Sequence, residues 1–277
     1  MQENIINGLS FDIEEWFQVE NLRPVCPVEK WNAFESRVQR NTGILLDLLA
    51  KYGHKATFFI LGWVAEKTPA LVKEIFNQGH EVASHGYKHD IVYSLTPAEF
   101  RKDLERSKKI LEDITGNEVI GYRAPNFSIN KSSLWALDIL KEFNFQYDSS
   151  IFPFSCHDRY GDCGVNDSTF FKFENGLQEF PLTVYKLGRF ILPLGGGAYF
   201  RIIPYRVFRL MLKRINKLGK QFVFYFHPWE VDKNQPRMKI KKEYYFRHYT
   251  NLGKAESKLG LLMRDFKFSP LKSLLNK

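Results

Sequence analysis

Short apolar runs alternate with amphipathic stretches along most of the chain. "KATFFILG" (55–62), "HEVASH" (80–85), "EVIGYR" (118–123) and "QFVFYFH" (221–227) read as buried strands. Within 99–115, Phe100, Leu104, Ile110, Leu111 and Ile114 recur at helical spacing. Within 204–218, Val207, Phe208, Met211, Leu212, Ile215 and Leu218 do the same, and 37–52, 69–79 and 131–143 carry weaker versions. This alternation predicts a parallel sheet covered by helices, an α/β fold. The stretch 151–200 has no clean period and is expected to hold irregular insertions and short strands. From 233 onward the chain turns basic and aromatic, which predicts a helix packed on the outside.

The first strand ends unusually. In "LSFDIEEWF" (9–17) an apolar run meets Asp12, Glu14 and Glu15. Extended backbone sends Leu9, Phe11 and Ile13 to one face and Ser10, Asp12 and Glu14 to the other. Two carboxylates on one face repel unless a cation lies between them or one keeps a proton. A strand end fraying into solvent is the plainer alternative.

Composition narrows the options. With 277 residues, 44% hydrophobic and 16% aromatic, the chain is large enough for one sizeable core or two small ones and does not read as disordered. It contains no apolar run long enough to cross a membrane. "MQENIINGLSFD" lacks a basic segment followed by an apolar one, so a cytoplasmic setting is expected. Cys26, Cys156 and Cys163 are odd in number and show no C-x-x-C pair, which argues against a disulfide framework or a four-cysteine zinc site. The net charge of +9 is spread widely, with one dense stretch at 233–249. No zinc-finger spacing is present, and "GGGAYF" (195–200) lacks the Lys-Ser/Thr of a phosphate loop, so no nucleic-acid partner is expected. Peripheral contact between the basic tail and a membrane surface, and an oligomer, remain open.

Polar residues gather where apolar runs end: Asp12 and Glu14, then His85 and His89 in "SHGYKH", Arg123 in "YRAPNF", Asp148 in "FNFQYDSS" and His227 in "FVFYFH". In parallel α/β folds, active sites form at that end of the strands. His85 and His89 are spaced i, i+4, so one helical turn would point both imidazoles at one metal. The alternative is two surface histidines in a polar loop. A carboxylate from another strand end would complete a His-His-carboxylate set with an open coordination position. His80 is expected to be a core histidine, while His54, His157 and His248 have no evident partner.

"SFDIE", "SHGYKH", "RAPNF", "YDSS" and "FVFYFHP" stand in the order found in the polysaccharide deacetylases, carbohydrate esterase family 4, and the resemblance covers about residues 5–230. The segments "GGGAYFRIIP" and "FRHYTNLGKAESKLGLLMRDFKFSP" resemble the branch associated with bacterial exopolysaccharide clusters. The resemblance implies a distorted (β/α) barrel of about seven parallel strands with outer helices. It implies one catalytic domain over 1–277, with a basic aromatic extension from about 233.

The implied activity is metal-dependent removal of acetyl groups from N-acetylated sugars of a bacterial polysaccharide or its lipid-linked precursor. Asp12 would be the general base, held by Arg123, and His227 the general acid, oriented by Asp148. Glu14, His85 and His89 would bind one divalent ion, zinc first, with cobalt or another divalent ion open. The Asn126 N–H, next to Pro125, would help hold the oxyanion, and Trp229 would line the sugar site. Most family members carry two adjacent aspartates followed by glycine where this chain has Asp12-Ile13-Glu14. Glu15 therefore stands as the fallback metal carboxylate. The competing functions are an amidase of the same fold acting on a small non-peptide C–N bond, and a non-catalytic glycan-binding protein.

Overall fold

The computed structural model describes residues 5–153, 169–188 and 190–275. Cys156, His157 and Cys163 lie outside them. Eleven strands occur among these residues: β1 (Ile6–Ile13), β2 (Thr57–Ile60), β3 (Glu81–Ser84), β4 (Gly121–Tyr122), β5 (Tyr147–Asp148), β6 (Phe171–Lys172), β7 (Gln178–Glu179), β8 (Val184–Leu187), β9 (Phe190–Pro193), β10 (Val223–Phe226) and β11 (Lys267–Ser269). The helices are α1 (Val38–Tyr52), α2 (Gly62–Lys67), α3 (Pro69–Asn77), α4 (Pro97–Thr115), α5 (Trp135–Glu142), α6 (Gly197–Ile202), α7 (Tyr205–Lys217), α8 (Lys242–Tyr249) and α9 (Leu252–Asp265). The predicted helices appear within a few residues of their expected bounds because their ends carry local signals. In α4, Thr96 and Glu99 form a reciprocal capping box, Pro97 starts the helix, and Gly116 ends it at φ 69°.

The main sheet runs β10-β1-β2-β3-β4-β5-β7, all parallel, with β6 added antiparallel at the β7 edge. These seven parallel strands with outer helices form the curled barrel that the motifs imply. Between β7 and β10 the chain closes the curl without a regular strand. Thr183 Oγ1 exchanges hydrogen bonds with Val223, and Gly196 bridges Tyr225. A Cβ on Gly196, whose φ is 145°, would collide with the Tyr225 carbonyl oxygen. The glycine run at 195–197 thus serves barrel closure.

Alternation along β1 sorts its side chains as expected. Leu9, Phe11 and Ile13 pack outward with Phe58 and Ile60 beneath Leu45 and Leu49 of α1. On the other face, Phe59, Ala83, Tyr147, Phe180 and Tyr225 form a separate interior cluster. The tail departs from the expected outer helix. It supplies α8 and α9, but β11 pairs in parallel with the start of β1, and Leu271 and Leu274 fill the interior cluster. Buried Glu81 fastens this plug by accepting from Tyr147 Oη at 2.9 Å and from the Lys272 N–H at 3.1 Å. No helix among the described residues is long and apolar enough to cross a membrane.

Candidate active site

At the C-terminal ends of the parallel strands lies a cavity of about 360 Å³, lined in part by Asp12, Glu14, His85, His89, Asn126 and His227. Asp12 and Glu14 come from β1, His85 and His89 from the loop after β3, Asn126 from the turn after β4, and His227 from the end of β10. Residues up to 215 positions apart therefore meet because every parallel strand delivers its end to the same rim.

Three carboxylates at the end of β1 find three fates. Glu14 points into the cavity. Its Oε1 accepts from Trp229 Nε1 at 2.9 Å, and its Oε2 lies 2.8 Å from His89 Nε2. Asp12 Oδ1 accepts from Arg123 Nη1 at 2.7 Å, while Oδ2 faces His227 Nε2 at 3.9 Å. Glu15 turns away, taking the Arg37 and Val38 N–H groups and the Ser36 hydroxyl, so it caps the start of α1. Glu15 is thus not positioned as the fallback ligand.

Glu14, His85 and His89 each offer a ligand atom within 4.8 Å of the others, and all three are buried. The pairing is not helical: Gly86 and His89 adopt positive φ, 72° and 58°, and the rings meet at 5.5 Å and 71°. Asp103 holds this loop, accepting the Tyr87 N–H on both oxygens at 3.0 Å. His85 Nδ1 is 2.8 Å from the Arg123 carbonyl oxygen, which can only accept, so its Nε2 keeps the free lone pair. Burial holds His85 down to about 4, which keeps it neutral. Burial pushes Glu14 up, but His89, His227 and His85 outweigh it and hold the carboxyl at about 2. His89 Nδ1 is buried without a hydrogen-bond partner. Two imidazoles, one carboxylate and a buried ring nitrogen left unpaired fit a divalent cation.

His227 is 15% exposed at its side chain, 3.7 Å from Glu14 through Nε2. Asp148, expected to orient it, does not touch it. Asp148 accepts from Ser150 and sits in register beside Glu179, whose carboxyl burial pushes well up. The carboxylate on His227 Nδ1 is Glu230 Oε1, at 2.8 Å. Burial draws His227 down, yet Glu230, Glu14 and Asp12 more than offset it and leave the ring raised. Glu230 is gripped in turn by Arg201 Nε at 2.6 Å. The His-x-x-Glu spacing of "HPWE" was the available signal, since Glu230 also returns to the His227 N–H as a capping box. Arg201 gave no sequence signal.

Arg123 and Pro125 stand behind the cavity wall. The fully buried Arg123 guanidinium binds Asp12, Ser10 Oγ, and both the carbonyl and hydroxyl of Ser149, and it lies 4.1 Å over the Phe59 ring. Asn126 sits at φ 52° with its Nδ2 buried and unpartnered. Trp229 borders the cavity but offers no free face for a sugar. One side stacks on His227 at 4.9 Å and the other on His248 at 4.4 Å.

This arrangement agrees with the comparisons. Residues 31–147 match the family model described as polysaccharide deacetylase, and residues 149–276 match a domain of unknown function. Residues 31–147 are thus similar to the polysaccharide deacetylases. The boundary between the two matches falls inside the sheet, at β5 (Tyr147–Asp148). Among curated proteins, it is 36% identical over 95 residues to a peptidoglycan-N-acetylglucosamine deacetylase of Bacillus cereus, covering 34% of each chain. It is 33% identical over 107 residues to a peptidoglycan deacetylase of Helicobacter pylori, covering 39% of this chain and 36% of that one. The matched stretches thus span about a third of those relatives. Among solved structures, an allantoinase (TM-score 0.61, 13% identity) is covered over 96% of this chain and 87% of its own. A CE4 family pseudoenzyme from Bacillus anthracis (TM-score 0.55, 14% identity) is covered over 100% and 67%. At such identities they show the fold.

Proposed function

We propose that this protein removes acetyl groups from N-acetylated sugars of a bacterial glycan, using one divalent cation held by Glu14, His85 and His89. The observation that carries this reading is the convergence of those three side chains within 4.8 Å, with His89 Nδ1 unpaired, beside Asp12 and His227. When bound, the cation would polarise the acetyl carbonyl and acidify water. Asp12, fixed through Oδ1 by Arg123, presents Oδ2 to take the proton of the attacking water. The Asn126 N–H and its unpartnered Nδ2 are the donors for the oxygen that gains charge. His227, kept charged by Glu230, delivers its proton to the sugar nitrogen as the C–N bond breaks. Acetate and a free sugar amine leave.

The substrate is taken as a polysaccharide or its lipid-linked precursor, supported by the peptidoglycan deacetylases among the relatives and by the motifs in the tail. The test is acetate release from a β-1,4-linked N-acetylglucosamine tetramer, abolished by chelation and restored by Zn²⁺ or Co²⁺. Acetate release that chelation leaves intact would remove the cation from the reaction. Release of ammonia or urea-type products from small amides, without acetate, would favour the amidase reading that the allantoinase fold keeps open.

Peripheral contact with an anionic membrane surface belongs to the same reading. Its support is α7, which exposes Val207 and Leu210 beside Arg206, Lys213, Arg214 and Lys217 and contains no acidic residue. Sedimentation with anionic but not neutral vesicles, lost in Arg206→Glu/Lys213→Glu, is the expected result. Equal sedimentation with both would remove it.

A further inference from the structure

The catalytic side chains form only one wall of the cavity. Most of the remaining lining comes from the region matched to a domain of unknown function, which also supplies His227. Helix α8 turns Glu243, Phe246 and Arg247 toward the opening, a single face at i, i+3, i+4 spacing. Phe246 is 59% exposed, far more than Phe127, Tyr225 or Trp229 on the same cavity. A phenyl ring left this open at the mouth of a site loses nothing by burial under a ligand and gains its apolar area. Trp229 is unavailable for that purpose, both faces being covered.

The helix is also fixed with respect to the chemistry. A helix leaves its last carbonyls without intrahelical donors. Buried Arg201 supplies them, donating to the carbonyl oxygens of Arg247 at 2.8 Å, His248 at 3.0 Å and Thr250 at 2.5 Å, while its Nε holds Glu230. His248 adds its stack on Trp229, whose N–H binds Glu14. The α8 face is therefore tied to both the His227 partner and a cavity carboxylate through buried contacts. This is the rigidity a recognition surface needs.

We propose that this face of α8 is a glycan subsite. It takes the pyranose ring next to the acetylated sugar, with the ring's C–H face on Phe246 and its hydroxyls between the Glu243 carboxylate and the Arg247 guanidinium. A sugar fits this chemistry better than an acyl chain. An acyl chain would desolvate the Glu243 carboxylate without offering it a donor. The inference rests on the deacetylase reading and assigns the unit that reading leaves open: the site recognises an oligosaccharide, not a single sugar.

The test uses the full, metal-loaded chain with N-acetylglucosamine and its β-1,4-linked tetramer, read by calorimetric binding and by acetate release. Wild-type protein binds the tetramer more tightly than the monomer. Phe246→Ala weakens tetramer binding and raises its KM about tenfold while kcat holds, and Phe246→Trp stays within about twofold of wild type. Unfolding is not at issue for so exposed a side chain, and the melting temperature checks it. Tenfold weaker binding without any acetate release sustains the subsite and overturns the deacetylase reading. Acetate release with the same KM and binding in Phe246→Ala overturns the subsite alone. Wild-type protein that fails to bind the tetramer, or binds it no better than the monomer, also overturns the subsite.

Discussion

His227 Nδ1 meets Glu230 Oε1 at 2.8 Å within one turn of chain, while Asp148, the strand-end carboxylate expected to serve it, lies in a separate cluster with Ser150 and Glu179. The proton donor proposed for the leaving amine is thus governed by the residue three positions after it. Arg201 anchors that residue from the other side.

A pH profile tests this dyad. Glu230 heads the partners that raise His227, so the ring keeps its proton above its ordinary pH range and loses it as pH rises through the raised value. Glu230→Gln should move the alkaline limb of kcat to lower pH and lower kcat at the optimum roughly ten- to a hundredfold. An unmoved limb would assign the donor elsewhere.

The roles of Asp12 and the cation ligands separate in their metal content. Asp12→Asn should retain one bound divalent ion per chain and lose about 10²–10⁴ in kcat. His85→Ala should lose the ion itself. Atomic absorption on both variants, next to acetate release, distinguishes a base from a ligand.

Glu14 and Glu15 are adjacent in sequence and opposed in function. Glu15→Ala should leave metal content intact and lower stability by about 0.5–2 kcal/mol through the loss of the α1 cap. Glu14→Ala should abolish metal binding instead. Reversal of these outcomes would make Glu15 the ligand.

Arg201 binds one carboxylate and three carbonyls in the interior. Arg201→Ala takes the guanidinium from buried Glu230, leaving it His227 alone, and strips three carbonyls of their donor, which should cost about 3–5 kcal/mol. Chemical denaturation measures it. A loss below about 1 kcal/mol would mean that water replaces the guanidinium.

Acid should destabilise the fold through histidines buried neutral. Burial holds His80 at about 4 and His248 at about 3, below an ordinary histidine. The unfolded chain therefore binds more protons below about pH 6.5, and stability falls as pH drops from there through 4 and 3. His80→Leu should flatten the dependence of the melting temperature on pH between 6.5 and 4. An unchanged slope would exclude His80 as a source.

Much of this was legible in the residues. The strand–helix alternation predicted a parallel sheet covered by helices, and the motif resemblance implied that it curls into a barrel. Period two along β1 placed Asp12 and Glu14 together on the inner face, because side-chain direction in a strand follows from position alone. Ordered motifs at strand ends named Asp12, His85, His89, Arg123 and His227, since parallel strands bring their C-terminal ends to one rim. Tertiary structure decided the rest. Only packing shows that Glu15 finds the N-terminus of α1 while Glu14 finds two imidazoles. Only packing shows that Trp229 is sealed between His227 and His248, and that Arg201 and α8 reach the site across the chain. Those relations depend on where a side chain's neighbours end up after the barrel closes. Local spacing carries no record of contacts between segments tens of residues apart.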